Sequence, residues 1–192
     1  MNDRYEAGRC IVQLDRRDIT QLDTDAIVNA ANGSLLGGGG VDGAIHAAAG
    51  PKLLESCREV KRRLPDGVLR TGKAVLTPGF QLRAKYVIHC VGPIYARTGE
   101  EAPTLLASCY QNALALCRQH ALQSVTFPSI STGVYGYPLL EAARVALATV
   151  KRELESHGGP ELVRFALFDD RTLAAYAFVA REVFATPPDG TH

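Results

Sequence analysis

The stretch Asp25-Ala26-Ile27-Val28-Asn29-Ala30-Ala31-Asn32-Gly33-Ser34-Leu35-Leu36-Gly37-Gly38-Gly39-Gly40-Val41-Asp42-Gly43-Ala44-Ile45-His46 decides how the chain is read. Residues 26–29 form a short apolar run with the β-branched content of a buried strand. A polar turn with two asparagines follows, then four consecutive glycines, then a helical pattern. Consecutive glycines cost conformational entropy, so a loop that only connects two elements has little use for them. Their bare N–H groups let a ligand approach the backbone. Placed before a helix start, those groups and the helix dipole favour an anion. This order predicts an anion cradle, with a plain flexible turn as the competing reading.

Outward from this segment, strand-like and helix-like runs alternate. Residues 10–14, 73–77, 86–91, 124–127 and 162–168 read as further buried strands. After Pro103, Leu106, Tyr110, Ala113, Leu114 and Cys117 share one helical face. After Pro138, Leu140, Ala143, Leu147, Val150 and Leu154 do the same, and Gly158-Gly159-Pro160 stops that helix. The pattern after Gly43 reads as helical through about Arg63, and a last helix is expected over residues 171–184. Such alternation predicts an α/β fold with helices on both faces of a sheet. No repeat or linker divides the chain, so one domain over residues 1–185 is expected, with a short disordered tail at 186–192.

Composition narrows the function classes. The 192 residues carry 21 Lys+Arg against 20 Asp+Glu, a formal net charge of +1, which argues against a strongly basic nucleic-acid binder. Hydrophobic residues make up 46%, enough for a core that needs no staples. Five cysteines, Cys10, Cys57, Cys90, Cys109 and Cys117, form no Cys-x-x-Cys pair and read as buried reduced thiols. No run reaches the roughly 18 apolar residues of a membrane span. The N-terminal residues are polar, without a secretory apolar segment. A soluble cytoplasmic protein is expected. The stretch holding Lys52, Arg58, Lys61, Arg62, Arg63, Arg70 and Lys73 is locally basic. It reads first as a solvated helix face, and second as an RNA or partner contact.

A second loop repeats the logic of the first. Residues 124–127 lead into Pro128-Ser129-Ile130-Ser131-Thr132-Gly133-Val134-Tyr135-Gly136-Tyr137-Pro138 before a helix. Two such loops at the carboxyl ends of strands can face each other and hold a pyrophosphate between them. The Gly-Lys-Ser/Thr phosphate-loop signature is missing. Gly38, Gly40 and Gly43 match Gly-x-Gly-x-x-Gly, but in the wrong place relative to strand and helix for a dinucleotide fingerprint. The five histidines are scattered, so no metal site is expected.

Single residues carry paired readings. Asp42 stands either as a helix N-cap or as a carboxylate acting near a sugar, as base or water-positioning group. His46, four residues on, shares its helical face and could orient it, or could simply pack. Of Asn29 and Asn32, in the turn, one amide is expected to satisfy the loop and the other to meet a ribose hydroxyl pair. Phe168 could stack on a planar base or pack in the core. Asp18 could accept from an exocyclic amino group or be solvated.

Together these residues resemble the macrodomain family, and within it the MacroD-type ADP-ribosyl hydrolases. The resemblance spans nearly the whole chain. It is most specific in residues 25–50, in His89-Cys90-Val91-Gly92-Pro93 and in residues 127–138. It implies a three-layer α/β/α sandwich with a central mixed sheet and an ADP-ribose cleft at one sheet edge. By resemblance, Asp18 and Ile19 take the adenine, with Phe168 against it. Gly39, Gly40 and Val41 line one side of the pyrophosphate. Ser131, Thr132, Gly133, Val134 and Tyr135 line the other, with Tyr135 closing over the distal ribose. Asn32 and Asp42 match the pair associated with hydrolysis, with His46 as a helper.

The expected activity is hydrolysis of ester-type linkages of ADP-ribose, in O-acetyl-ADP-ribose and in mono-ADP-ribosylated Glu or Asp of proteins. No metal or organic cofactor is required, and a monomer is expected. The alternatives are a module that reads ADP-ribose without cleaving it, and an RNA-associated regulatory protein resting on the basic stretch.

Overall fold

In the computed structural model of the chain, residues 3–185 are described. The tail expected to be disordered lies outside them. Seven strands form one sheet in the order β1-β2-β7-β6-β3-β5-β4. They are β1 (Asp3–Ala7), β2 (Cys10–Arg16), β3 (Ala26–Ala31), β4 (Ala74–Pro78), β5 (Tyr86–Val91), β6 (Ser124–Phe127) and β7 (Leu162–Leu167). The five inner strands run parallel, while β1 and β4 pair antiparallel at the two edges. The sheet is therefore mixed.

The helices are α1 (Gly40–Ala49), α2 (Pro51–Arg63), the single turn α3 (Tyr95–Thr98), α4 (Ala102–Gln119), α5 (Leu139–His157) and α6 (Asp170–Ala185). Alternate strand residues assign the layers, because successive side chains point to opposite faces. Val28, Ile88 and Cys90 join one core with Leu106, Tyr110, Leu147 and Tyr176 of α4, α5 and α6. Ile27, Val87 and Val91 join another with Ile45, Leu53 and Cys57 of α1 and α2. Two cores on two faces make the expected three-layer sandwich.

Three expectations are corrected. The strand β1 was not anticipated, since three of the five residues in Asp3-Arg4-Tyr5-Glu6-Ala7 are charged. Charge suits an edge strand, which needs protection from further pairing. The helical pattern after Gly43 is two helices, not one. Gly50, at φ 79°, turns the chain out of α1, and Pro51 opens α2 at a position where its missing N–H costs nothing. Third, β3 runs on to Ala31, so Asn29 lies inside the sheet rather than in the turn. Phe168, by contrast, falls just beyond β7.

Candidate active site

Because the inner strands are parallel, their carboxyl ends share one edge of the sheet. Along that edge the sequence-predicted residues stand in strand order. Asp18 and Ile19 follow β2, Phe168 follows β7, residues 131–135 follow β6, and Asn32 to Asp42 follow β3. From β2 to β3 is three strand intervals, or roughly 14 Å at the usual spacing. Phe168 is 86% exposed and Val134 fully so, although both are apolar. Exposed apolar side chains flanking glycine loops at this edge suit a bound planar group better than a closed core.

On the β3 side, Asn32 closes its own loop. Its Oδ1 accepts from the Ser34 N–H at 3.0 Å and from the Ser34 hydroxyl at 2.5 Å, while Nδ2 donates to the Gly37 carbonyl at 3.0 Å. Gly39 is the N-cap of α1 and offers no side-chain cap, so the first N–H groups of the helix are left for a ligand. Gly40 has φ 59°, a conformation that needs no strain only in glycine. Asp42 is thus not the N-cap. It is the third residue of α1, and its carboxylate is buried.

The two oxygens of Asp42 have different surroundings. Oδ1 accepts from Asn29 Nδ2 at 2.7 Å, and His46 Nε2 stands 3.4 Å from the same oxygen. Oδ2 faces the glycine loop: a methyl group placed on Gly38 would meet Oδ2 at 3.1 Å and Asn32 Nδ2 at 3.2 Å. One oxygen is tethered from behind, and the other is turned to the loop that carries Asn32. Val41, half-buried beside it, packs against the α1–α2 core.

On the β6 side, the loop is held by its own backbone. Tyr137 N–H donates to the Ser131 carbonyl, Gly136 N–H to Gly133, and Tyr95 N–H to Tyr135. Ser131 sits at φ 67°, a strained conformation outside glycine, and its buried hydroxyl has no partner among the described residues. Thr132 donates to Ser129, whose hydroxyl also takes the Tyr176 O–H. Gly133 stays exposed and Tyr135 half-exposed. At the far end, Asp18 Oδ1 caps the short turn Ile19–Gln21 by accepting from Thr20 N–H and hydroxyl, while Ile19 is buried.

Two buried residues behind Asp42, Asn29 and His89, were not brought together by sequence reasoning. Behind Asp42, Asn29 Nδ2 lies 3.1 Å from His89 Nδ1, and His89 Nε2 lies 2.9 Å from Thr77 Oγ1 and 3.7 Å from Cys57 Sγ. Burial, and then the neighbouring His46, push the pKa of His89 down to about 3. Burial, with the Asp42 charge adding to it, pushes the Cys57 thiol up to about 11, so it stays protonated. The readable signal was period two: Ile27, Asn29 and Ala31 share a face, as do Val87, His89 and Val91. Two polar residues on otherwise apolar faces of adjacent strands mark a buried contact.

That depressed histidine gives a stability prediction. An unfolded histidine takes up a proton below pH 6.5, whereas folded His89 stays neutral until about pH 3. Its contribution is therefore complete above pH 6.5 and falls by about 1.4 kcal/mol per pH unit below it. Asp25, held low by Lys85, and Asp169, held low by the Thr172 N–H, lose their contributions only as pH falls through 3.8 and below. Urea unfolding at pH 7, 6 and 5 should show the slope, and His89→Asn should flatten it.

The basic stretch lies mostly at the outer side of α2. Arg58, Lys61 and Arg62, with Leu36 and Gly67, border a shallow hollow of about 430 Å³. Among the described residues, no group of three or more His, Cys, Asp or Glu is placed to hold a metal ion. No described helix is long and apolar enough to cross a membrane.

A parallel sheet edge with two glycine-bearing loops and one buried, half-tethered carboxylate defines an α/β domain built to take an anionic ligand. The macro domain family model matches residues 28–146. The chain belongs to the macro domain family. It is 52% identical over 166 residues to a macro domain-containing protein of Chlorobaculum tepidum, covering 86% of this chain and 93% of that one. It is 49% identical to the O-acetyl-ADP-ribose deacetylase of Salmonella typhimurium, covering 86% and 92%. Among solved structures, an Oceanobacillus iheyensis macrodomain, a glycine-to-valine variant with ADP-ribose, superposes with a TM-score of 0.94 at 44% identity. It covers 97% of this chain and all of its own. The Trypanosoma brucei macrodomain in complex with ADP-ribose gives 0.78 at 45% identity, covering 87% and 68%.

Proposed function

We propose that the protein is a hydrolase that binds ADP-ribose along the carboxyl edge of its sheet and cleaves ester-type linkages to it. Its substrates are O-acetyl-ADP-ribose and the mono-ADP-ribosylated Glu or Asp side chains of proteins. The observation that carries this reading is the order of residues along the edge. A base-stacking ring at Phe168, two anion loops and a buried carboxylate follow one another as base, pyrophosphate and distal ribose do in ADP-ribose. The relatives support the ligand, since one is named a deacetylase of O-acetyl-ADP-ribose and two neighbours hold ADP-ribose. Solved variants of the Oceanobacillus macrodomain replace an Asn and an Asp ten positions apart. Asn32 and Asp42 have the same spacing here.

In this reading Asp18 and Ile19 receive the adenine. Gly39, Gly40 and Val41 on one side, and Ser131, Thr132, Gly133, Val134 and Tyr135 on the other, clamp the pyrophosphate through backbone N–H groups and hydroxyls. Asn32 fixes the loop beside the distal ribose. Asp42 Oδ2 accepts a proton from water as its oxygen attacks. The ester C–O bond then breaks, the departing ribose oxygen takes that proton back from Asp42, and a carboxylic acid and a ribose hydroxyl leave. His46 helps to hold Asp42. The chain, the substrate and one water molecule supply every group in this step. Five buried free cysteines fit a reducing cytoplasm, where the protein acts as a monomer on modified proteins.

The direct test is chromatographic detection of ADP-ribose formed from O-acetyl-ADP-ribose. Sustained formation supports the reading, and its absence with saturating substrate sinks it. Phe168→Ala should weaken ADP-ribose binding by about 5- to 160-fold, the loss of about 1–3 kcal/mol of stacking, and leave kcat unchanged. Unchanged affinity would remove Phe168 from the site.

A further inference from the structure

The buried polar chain behind Asp42 has a direction that its hydrogen bonds dictate. Asn29 Nδ2 carries two hydrogens. One goes to Asp42 Oδ1 at 2.7 Å, and the other points to His89 Nδ1 at 3.1 Å. An amide turned the other way would set Oδ1 against a carboxylate oxygen, two acceptors in contact, so the N–H side must face Asp42. His89 Nδ1 must then accept, which leaves its proton on Nε2, donating to Thr77 Oγ1 at 2.9 Å. Asn29, His89 and Thr77 are all buried, and Asn29 Oδ1 has no hydrogen-bond partner among the described residues. Nothing on the oxygen side holds the amide. Its orientation rests on the two acceptors, Asp42 and His89.

We propose that His89 is a positioning residue for hydrolysis: its unprotonated Nδ1 locks the Asn29 amide so that Asn29 holds Asp42 Oδ1 and leaves Oδ2 turned to the substrate. This rests on Asp42 acting in the proposed reaction. His89 lies behind Asn29 and touches no substrate. The groups facing it are Asn29, Thr77, Cys57 and the His46 ring, whose centroid is 6.4 Å away. With His89 protonated on Nδ1, two donors would meet. The amide would rotate, and Asp42 would lose its tether. A misplacement on the order of 1 Å in a reacting group can cost roughly 100-fold in rate.

Two substitutions separate this role from packing. Asparagine at 89 puts an acceptor where Nδ1 stands but gives up Thr77. Glutamine reaches towards Thr77 but leaves nothing at Nδ1. His89→Gln should lower kcat on O-acetyl-ADP-ribose by roughly 10- to 100-fold with KM within about twofold. His89→Asn should restore most of kcat, and ADP-ribose affinity should stay near wild type in both. Equal losses in the two variants, or full kcat in His89→Gln, would overturn the proposal. A second readout needs no turnover: ¹⁵N spectra of the wild-type ring should show the Nε2–H tautomer, unchanged between pH 8 and pH 4.5. A proton on Nδ1 in that range would overturn the proposal as well. If wild type cleaves nothing, the hydrolase reading fails, while the ring spectra still decide whether His89 holds Asn29.

Discussion

Asp42→Ala and Asp42→Asn are expected to lower ester hydrolysis by roughly 10²- to 10⁴-fold, the usual worth of a positioned acid–base group. ADP-ribose affinity should change little. The two substitutions differ in what they leave behind. Alanine strands the Asn29 N–H that now donates at 2.7 Å, and a buried donor without a partner costs about 1–3 kcal/mol. Asparagine can offer Oδ1 to Asn29 and keep the tether, yet cannot take up a proton from water. Asp42→Asn should therefore melt near wild type and be as inactive as Asp42→Ala, which should melt lower. Single-turnover hydrolysis, calorimetric titration with ADP-ribose and thermal melts on all three proteins check this. Activity surviving in Asp42→Asn would move the proton-accepting role elsewhere, for instance to a substrate phosphate oxygen.

Gly43→Ala is expected to weaken ADP-ribose binding by roughly 10- to 100-fold, although alanine is the better helix former by about 1 kcal/mol. A Cβ at Gly43 would stand 2.6 Å from the Gly38 carbonyl oxygen. Backbone cannot swing aside as a flexible side chain can, so the glycine loop must move away from α1. Overpacking of this kind costs about 1–3 kcal/mol, and 1.4 kcal/mol is a factor of ten in affinity. Gly38 also lies beside Asp42 Oδ2 and Asn32 Nδ2, so the displaced loop carries off the cradle and disturbs the reacting pair together. Calorimetry should show the loss of affinity while circular dichroism stays native. Wild-type affinity in Gly43→Ala would mean that the loop does not hold the pyrophosphate.

The layers were legible in the sequence because buried parallel strands are nearly continuous apolar runs and the long helices keep a strict apolar face. Residues 86–91 and 124–127 were placed with the bounds the structure shows. The helix starts near Pro103 and Pro138 were read from prolines, which are tolerated in the opening turn of a helix. What stayed hidden depended on long-range contacts. Strand β1 exists because Cys10–Arg16 pairs with it, and its own charged sequence carries no such signal. The break at Gly50 lay inside an unbroken helical pattern, and only the following proline pointed to it.

The site was legible in its loops and less so behind them. Glycines, Asp42 and the 128–138 segment are local signals, and the fold sets them along one edge. The division of labour between the two asparagines was not local. Asn32 has every amide atom engaged in its own loop, whereas Asn29 sits in β3 and reaches Asp42 across the sheet–helix interface. His89 belongs to that interface too, 60 residues from Asn29 in the chain. A pairing so distant in sequence becomes visible only once β3 and β5 lie side by side.

The most direct measurement is ADP-ribose release by the wild-type protein from a peptide carrying a single mono-ADP-ribosylated glutamate. Many turnovers per protein molecule are expected, together with near-complete loss in Asp42→Asn at unchanged ADP-ribose affinity. Tight ADP-ribose binding with no release from this ester or from O-acetyl-ADP-ribose would contradict hydrolysis and make the protein a reader of ADP-ribose.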